Sequence, residues 1–182
     1  MHILQKILII LGALVVAVVG ISFLLPSKWK VERSIIINAS PEKIYPLVAN
    51  FETGWPQWSA FDKEYADSHY TSSGPQEGVG ATRSWTSGSM GDGSQTIVKA
   101  STQEGIEFEL MMIKYDSKLT GKILFTPVEG GTRVSWIDEG TTGNNPIIRW
   151  MGLFMDKMLG CMLEQSLQNL KVLAESTPEA IN

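Results

Sequence analysis

The run Ile7–Leu25, ILIILGALVVAVVGISFLL, carries no charge, and Ser22 is its only hydroxyl. A chain this apolar that enters a bilayer must satisfy its own backbone hydrogen bonds, which makes it a helix. At 1.5 Å per residue it reaches roughly 28 Å, close to the thickness of the hydrocarbon layer. Its apolar character runs around every side, which fits a buried core helix of a soluble domain badly. Lys6 bounds one end; Pro26, Lys28 and Lys30 bound the other, with Trp29 placed as an interfacial aromatic. A cleaved signal would have a shorter apolar region followed by a small-x-small site, whereas Leu24-Leu25-Pro26-Ser27-Lys28-Trp29 follows here. The expectation is an uncleaved single-pass anchor over residues 1–27 that engages the membrane through Ile7–Leu25. Lys28, Lys30 and Arg33 outnumber Lys6 and the terminal amine. By a narrow margin, that count puts the rest of the chain on the cytoplasmic side of a bacterial inner membrane.

Beyond the anchor, residues 28–176 are long enough for one domain, with 177–182 as a flexible tail. Hydrophobic residues make up 43% of the chain, enough for a real core. The net charge is -4 and no basic run interrupts it, so the electrostatic footprint of a nucleic-acid binder is missing. With Cys161 as the only cysteine and His2 and His69 as the only histidines, cysteine-built and histidine-rich metal sites are excluded. No phosphate loop, nucleophile elbow, zinc-protease helix or calcium loop is present, and no cofactor is expected.

Val31–Asn38 is β-branched and bounded by turn formers, so it reads as a strand. Ser40-Pro41-Glu42 then supplies an N-cap, a proline suited to the first helical position and an acidic first turn, predicting a helix to about Asn50. Next comes TGWPQWSAF, Thr53–Phe61, too broken for a long element yet rich in aromatic surface. Period-two alternation follows: Glu107 and Glu109 against Ile106, Phe108 and Leu110, Lys118 to Lys122 against Leu119 to Ile123, and Arg133 to Ile137 against Val134 and Trp136. Asp62–Tyr70, Val79–Thr86 and Ser94–Ser101 fit less regular strands, and Gly130-Gly131 reads as a hairpin turn. The chain ends on a helix of about 25 residues, starting at Asn144-Asn145-Pro146 with Asn145 as cap and stopping before Pro178.

The segments VERSIIINASPEKIYPLVANFETGWPQWSAF, GVGATRSW, GGTRVSWIDEG and MGLFMDKMLG with its continuation LEQSLQNLKVLAE resemble the polyketide cyclase/dehydrase branch of the START-like (SRPBCC) superfamily. The likeness spans roughly Lys30 to Glu175. It implies an α+β helix-grip fold: a seven-stranded curved antiparallel sheet around a long C-terminal helix, with a cavity between them. It does not select one function, because the superfamily holds lipid carriers, receptors, cyclases and lyases.

On that fold, the expected lining of the cavity is Trp58, Phe61, Arg83, Trp85, Phe108, Met112, Phe125, Trp136, Met151, Met155 and Met158. The methionines are flexible and polarizable, which suits an adaptable apolar surface and equally an irregular core. Trp55 and Trp58 either plug the core or, for Trp58, face the cavity. Asp138 shares the inward face of its strand with Val134 and Trp136, where a carboxylate could orient a ligand or act as a base. Glu139 and His69 complete the acid–base candidates, each with solvation as the simpler explanation. The sequence therefore points to a membrane-anchored module binding a lipid or other hydrophobic small molecule, the alternative being a cyclase or dehydratase acting on a polyketide-like substrate.

Overall fold

The computed structural model describes residues 2–113, 117–143 and 145–176. The chain opens on helix α1 (His2–Ser22), followed by β1 (Lys28–Ile37) and three short helices, α2 (Pro41–Ala49), α3 (Trp55–Trp58) and α4 (Ala60–Glu64). Strands β2 (His69–Ser73), β3 (Thr82–Thr86), β4 (Gly93–Ser101), β5 (Gly105–Met112), β6 (Ser117–Val128) and β7 (Gly131–Thr141) come next, then α5 (Pro146–Gly152) and α6 (Met155–Ser176). The strands form one seven-stranded sheet in the order β1-β7-β6-β5-β4-β3-β2, with every neighbouring pair antiparallel. This is the expected helix-grip arrangement, with β1 returning beside β7 at the edge that α6 crosses.

Alternation sets which face is buried. Val31, Val134, Trp136, Ile123, Phe125, Ile106, Phe108 and Ile97 all point to the side covered by α2, α3 and α6, and each is almost wholly buried. From α6 the same core receives Leu163, Leu167, Leu170 and Ala174, the apolar stripe of an amphipathic helix. Ion pairs fasten α6 to β1 at its rim. Arg33 donates to Glu164 Oε1 at 2.6 Å and to Asp156 Oδ1 at 2.8 Å. These two carboxylates raise the Arg33 pKa further above its ordinary value. Gly160 makes the crossing close, since a Cβ there would lie 2.0 Å from Arg33 Nη2.

Two expectations need correcting. The segment Asp62–Tyr70 is not one strand. Ser59 Oγ accepts from the Asp62 N–H and starts α4 instead, and the strand begins only at His69. The C-terminal helix is not continuous. Asn145 caps it as expected, accepting from Ile147 N and Ile148 N, but the first piece ends at Gly152. There the chain tightens, with Leu153 N bonded to Trp150 O and Phe154 N to Met151 O, the three-residue spacing of a narrowed helical end. A Cβ on Gly152 would approach Thr142 Cγ2 to 2.9 Å, so the break lets the helix pass the end of β7. The Trp29 indole lies over Gly140, on the strand paired with β1. Asn144, Pro178 and the tail over 177–182 lie outside the described residues.

Gly121 is a point of close packing in the sheet, because a Cβ there would sit 2.1 Å from Phe108 Cζ. Gly121→Ala should cost about 1–3 kcal/mol in chemical denaturation through overpacking. Phe108→Leu in that background should recover part of the loss, and additive losses would contradict the contact.

Candidate functional site

Three tryptophans meet where α3 enters the fold. The rings of Trp55 and Trp58 lie 4.6 Å apart, and both meet Trp136 on β7 edge-on, at 5.4 and 5.5 Å. Phe108 meets Trp55 at 5.7 Å and Phe51 at 6.4 Å, both edge-on. Polar anchors fix the cluster: Trp58 Nε1 donates to Leu47 O at 2.8 Å, Asn169 Nδ2 donates to Trp58 O at 3.0 Å, and Ser166 Oγ accepts from Ala60 N at 2.9 Å. TGWPQWSAF is aromatic because it fills the middle of the grip, and Trp58 is fully buried within it.

Burial falls off towards the α5–α6 end. Cross-strand partners share a face, so Val31, Asp138, Gly121, Phe108 and Ile97 form one inward row. Trp29, Gly140, Leu119, Leu110, Gln95 and Arg83 form the next. In that second row Trp29, Leu119 and Leu110 are only half-buried, in contrast to the closed rows at Trp136 and Val134. Phe61 of α4 and Met155 and Leu159 of α6 are half-buried and pack on the same core. This end of the grip is thus an apolar floor with less than full cover.

Two polar side chains project into it. Asp138 accepts a hydrogen bond from Trp136 Nε1 at 2.9 Å. Burial pushes its carboxyl up to about 7, against that hydrogen bond, which favours the ionised form. Gln95 is buried, and its Nε2 meets no acceptor among the described residues. Nothing in the polar run GDGSQTIV marks Gln95 as inward; only the register with Leu110 does so.

The remaining candidates scatter. Arg83 is spent structurally: its guanidinium pairs with Asp62 Oδ2 at 2.5 Å and lies 3.5 Å over the Tyr70 ring. Trp85 donates through Nε1 to Gly91 O at 2.9 Å and closes the β3–β4 end. Phe125 is buried near the Gly130 turn, away from Leu119. Met112 is half-buried at the end of β5, while Met151 and Met158 are exposed on α5 and α6. Glu139 points to the opposite face of the sheet from Asp138, and His69 is exposed on the edge strand β2. Asp138, Glu139 and His69 are therefore not brought together.

A hollow of about 580 Å³ is an open trough lined by Lys28, Lys30, Glu109 and Glu139 of that opposite face together with Trp29, Leu119 and Gly140 of the second row. A smaller one, about 70 Å³, lies by Phe51 and the Ser72–Gln76 turn.

Residues 28–175 match the family described as polyketide cyclase / dehydrase and lipid transport. No curated protein matches. Among solved structures, the KanY protein (ms6282) aligns with a TM-score of 0.61 at 18% identity, over 83% of this chain and 100% of that one. CV1439 from Chromobacterium violaceum aligns at 0.57 and 15%, over 84% of this chain and 100% of that one. The di-domain ARO/CYC StfQ from the steffimycin biosynthetic pathway aligns at 0.59 and 12%, over 81% of this chain and 51% of that one. At these identities the likenesses establish the fold.

Asp138 yields a pH signature. An unfolded chain releases that proton near pH 4, whereas the folded protein keeps it until about 7. Stability is therefore full below the unfolded value and falls by about 1.4 kcal/mol per pH unit across the window between the two. Asp138→Asn should remove this slope. Denaturation of both proteins from about pH 4 to about pH 7 should show wild type losing ground steadily to the variant, and parallel profiles would contradict the buried-carboxyl assignment.

Proposed function

Because the chain belongs to the polyketide cyclase/dehydrase and lipid transport family, we propose that it is a membrane-anchored module that binds a lipid or other hydrophobic small molecule. The observation that carries this reading is the incompletely covered apolar floor at the α5–α6 end, with Asp138 and Gln95 as its polar groups. Ligand sites of this kind have an apolar wall and a few polar groups that orient the guest. Leu110, Leu119, Met155 and Leu159 offer the wall. The protonated Asp138 carboxyl and the Gln95 amide offer donors to a carbonyl, hydroxyl or ester oxygen. The tryptophan cluster blocks the deeper part of the grip, so the guest is compact, or enters with only part of its length.

Helix α1 supplies the membrane part of the proposal. Ile3–Ser22 is long and apolar enough to cross a bilayer, and its side chains are unburied along nearly the whole length. The basic residues following it favour a cytoplasmic domain. An anchor keeps the site next to the phase that holds its ligand.

A second reading, a cyclase or dehydratase, is favoured by one observation: a carboxyl titrating about neutrality inside an apolar site is suited to proton transfer. Asp138 would then be the acid–base group, and Asp138→Asn would abolish turnover while leaving ligand binding measurable.

Native mass spectrometry of the full chain, released from mild detergent, tests the leading reading. A bound hydrophobic molecule should be retained by wild type. Leu119→Trp, which fills the floor, should lower its occupancy roughly tenfold, equivalent to about 1.4 kcal/mol. Val172→Trp, at an exposed site on α6, should leave it unchanged. Equal retention by all three would place the ligand elsewhere.

A further inference from the structure

Helix α5 is tied directly to the end of α1. The Arg149 guanidinium donates through Nη1 to the carbonyls of Phe23 (3.1 Å) and Leu25 (3.4 Å), just past the end of α1, and of Ser22 (3.5 Å), its last residue. Its Nε donates to Gly143 O at 2.9 Å. Trp150 Nε1 donates to Val18 O at 3.3 Å, so its indole lies beside the last turns of α1. Val18 lies about one turn inside the end of α1 at Ser22, so this contact holds α5 beside the last turns of that helix.

The far side of α5 is uncovered. Ile147 is 71% exposed, Met151 45%, Phe154 57% and Met158 55%. Ile147 and Met151 are one turn apart on α5, and Phe154 and Met158 are one turn apart where α6 begins, with Met158 N bonded to Phe154 O. From Gly143 to Met155 the sequence has no acidic residue, and its one charge, Arg149, is turned to α1. Large exposed apolar side chains gathered at one junction mark a surface made to be covered, and on the anchor reading α1 determines what lies next to it.

We infer that the α5–α6 junction is a second membrane contact, with Ile147, Met151, Phe154 and Met158 seated among acyl chains at the bilayer boundary beside α1. This rests on the reading of α1 as an anchor. Trp150 then takes the interfacial aromatic position, and the open end of the grip, bounded by Met155 and Leu159 on the same helix, faces the bilayer surface.

The test uses the full chain in vesicles of phosphatidylcholine with phosphatidylglycerol. In a Cys161→Ser background, an environment-sensitive fluorophore is placed singly by Phe154→Cys, Val15→Cys or Val172→Cys, all exposed positions. Quenching by lipids carrying a nitroxide near the headgroup is compared with quenching by aqueous iodide. The inference expects the 154 label to be quenched by the lipid nitroxide and to lose iodide accessibility several-fold relative to the 172 label. A 154 label as open to iodide as the 172 label, with the 15 label shielded, overturns the second contact and leaves the anchor standing. Labels at 15 and 154 both open to iodide overturn the anchor and the inference with it. Matching thermal transitions of the labelled and unlabelled proteins confirm that each variant is folded.

Discussion

The contact of Trp55 and Trp58 with Trp136 holds the architecture together, since it is the point at which the crossing helices, the sheet and α6 all meet. Aromatic rings bury large areas and hold edge-to-face geometry, so three of them in contact define the spacing between layers more firmly than aliphatic residues would. The polar anchors around them matter as much. Trp58 could not be wholly buried unless its indole N–H found Leu47 O, and its backbone carbonyl is met by Asn169 of α6. The same plug divides the grip into a closed half near the Gly130 turn and a half-covered floor near α5. The depth available to any guest is set there.

Much of this architecture is legible in the sequence because it follows from periodicity. Alternation over Leu119–Phe125 and Arg133–Ile137 gives the inward faces correctly, and the Gly130-Gly131 turn joins β6 to β7 as read. The failures share one cause: a local hydrogen bond or a close approach that a hydropathy pattern does not carry. Ser59 turns Asp62 into a helical residue, and Gly152 lets the last helix break against Thr142. For the site, the inward position of Asp138 can be read from alternation, whereas the roles of Arg83 and Gln95 depend on partners remote in sequence. Arg83 looks like an anion-binding residue until Asp62 and Tyr70 are placed beside it. Gln95 looks unremarkable until its register with Leu110 turns it inward.

The two buried ionisable positions illustrate opposite solutions to the same cost. Arg83 is compensated: a carboxylate and an aromatic face surround its charge, which locks α4 onto β3. Asp138 has a neutral indole as its hydrogen-bonded partner, so burial is relieved by keeping the proton instead. A carboxyl in that state donates as well as accepts.

The break between α5 and α6 links the interior to helix α1. A continuous helix from Pro146 would carry Ile147 and Met151 in line with α6 along the sheet. The tightened turn at Leu153 and Phe154 instead frees α5 to reach α1, where Arg149 and Trp150 bind its end. Met155 and Leu159, which bound the half-covered floor, begin immediately after that turn. Helix α5, tied to α1, therefore sits within a few residues of the floor's own wall. On the proposed reading of α1 as an anchor, the short helix and not the packed core behind it is what joins the bilayer to the floor.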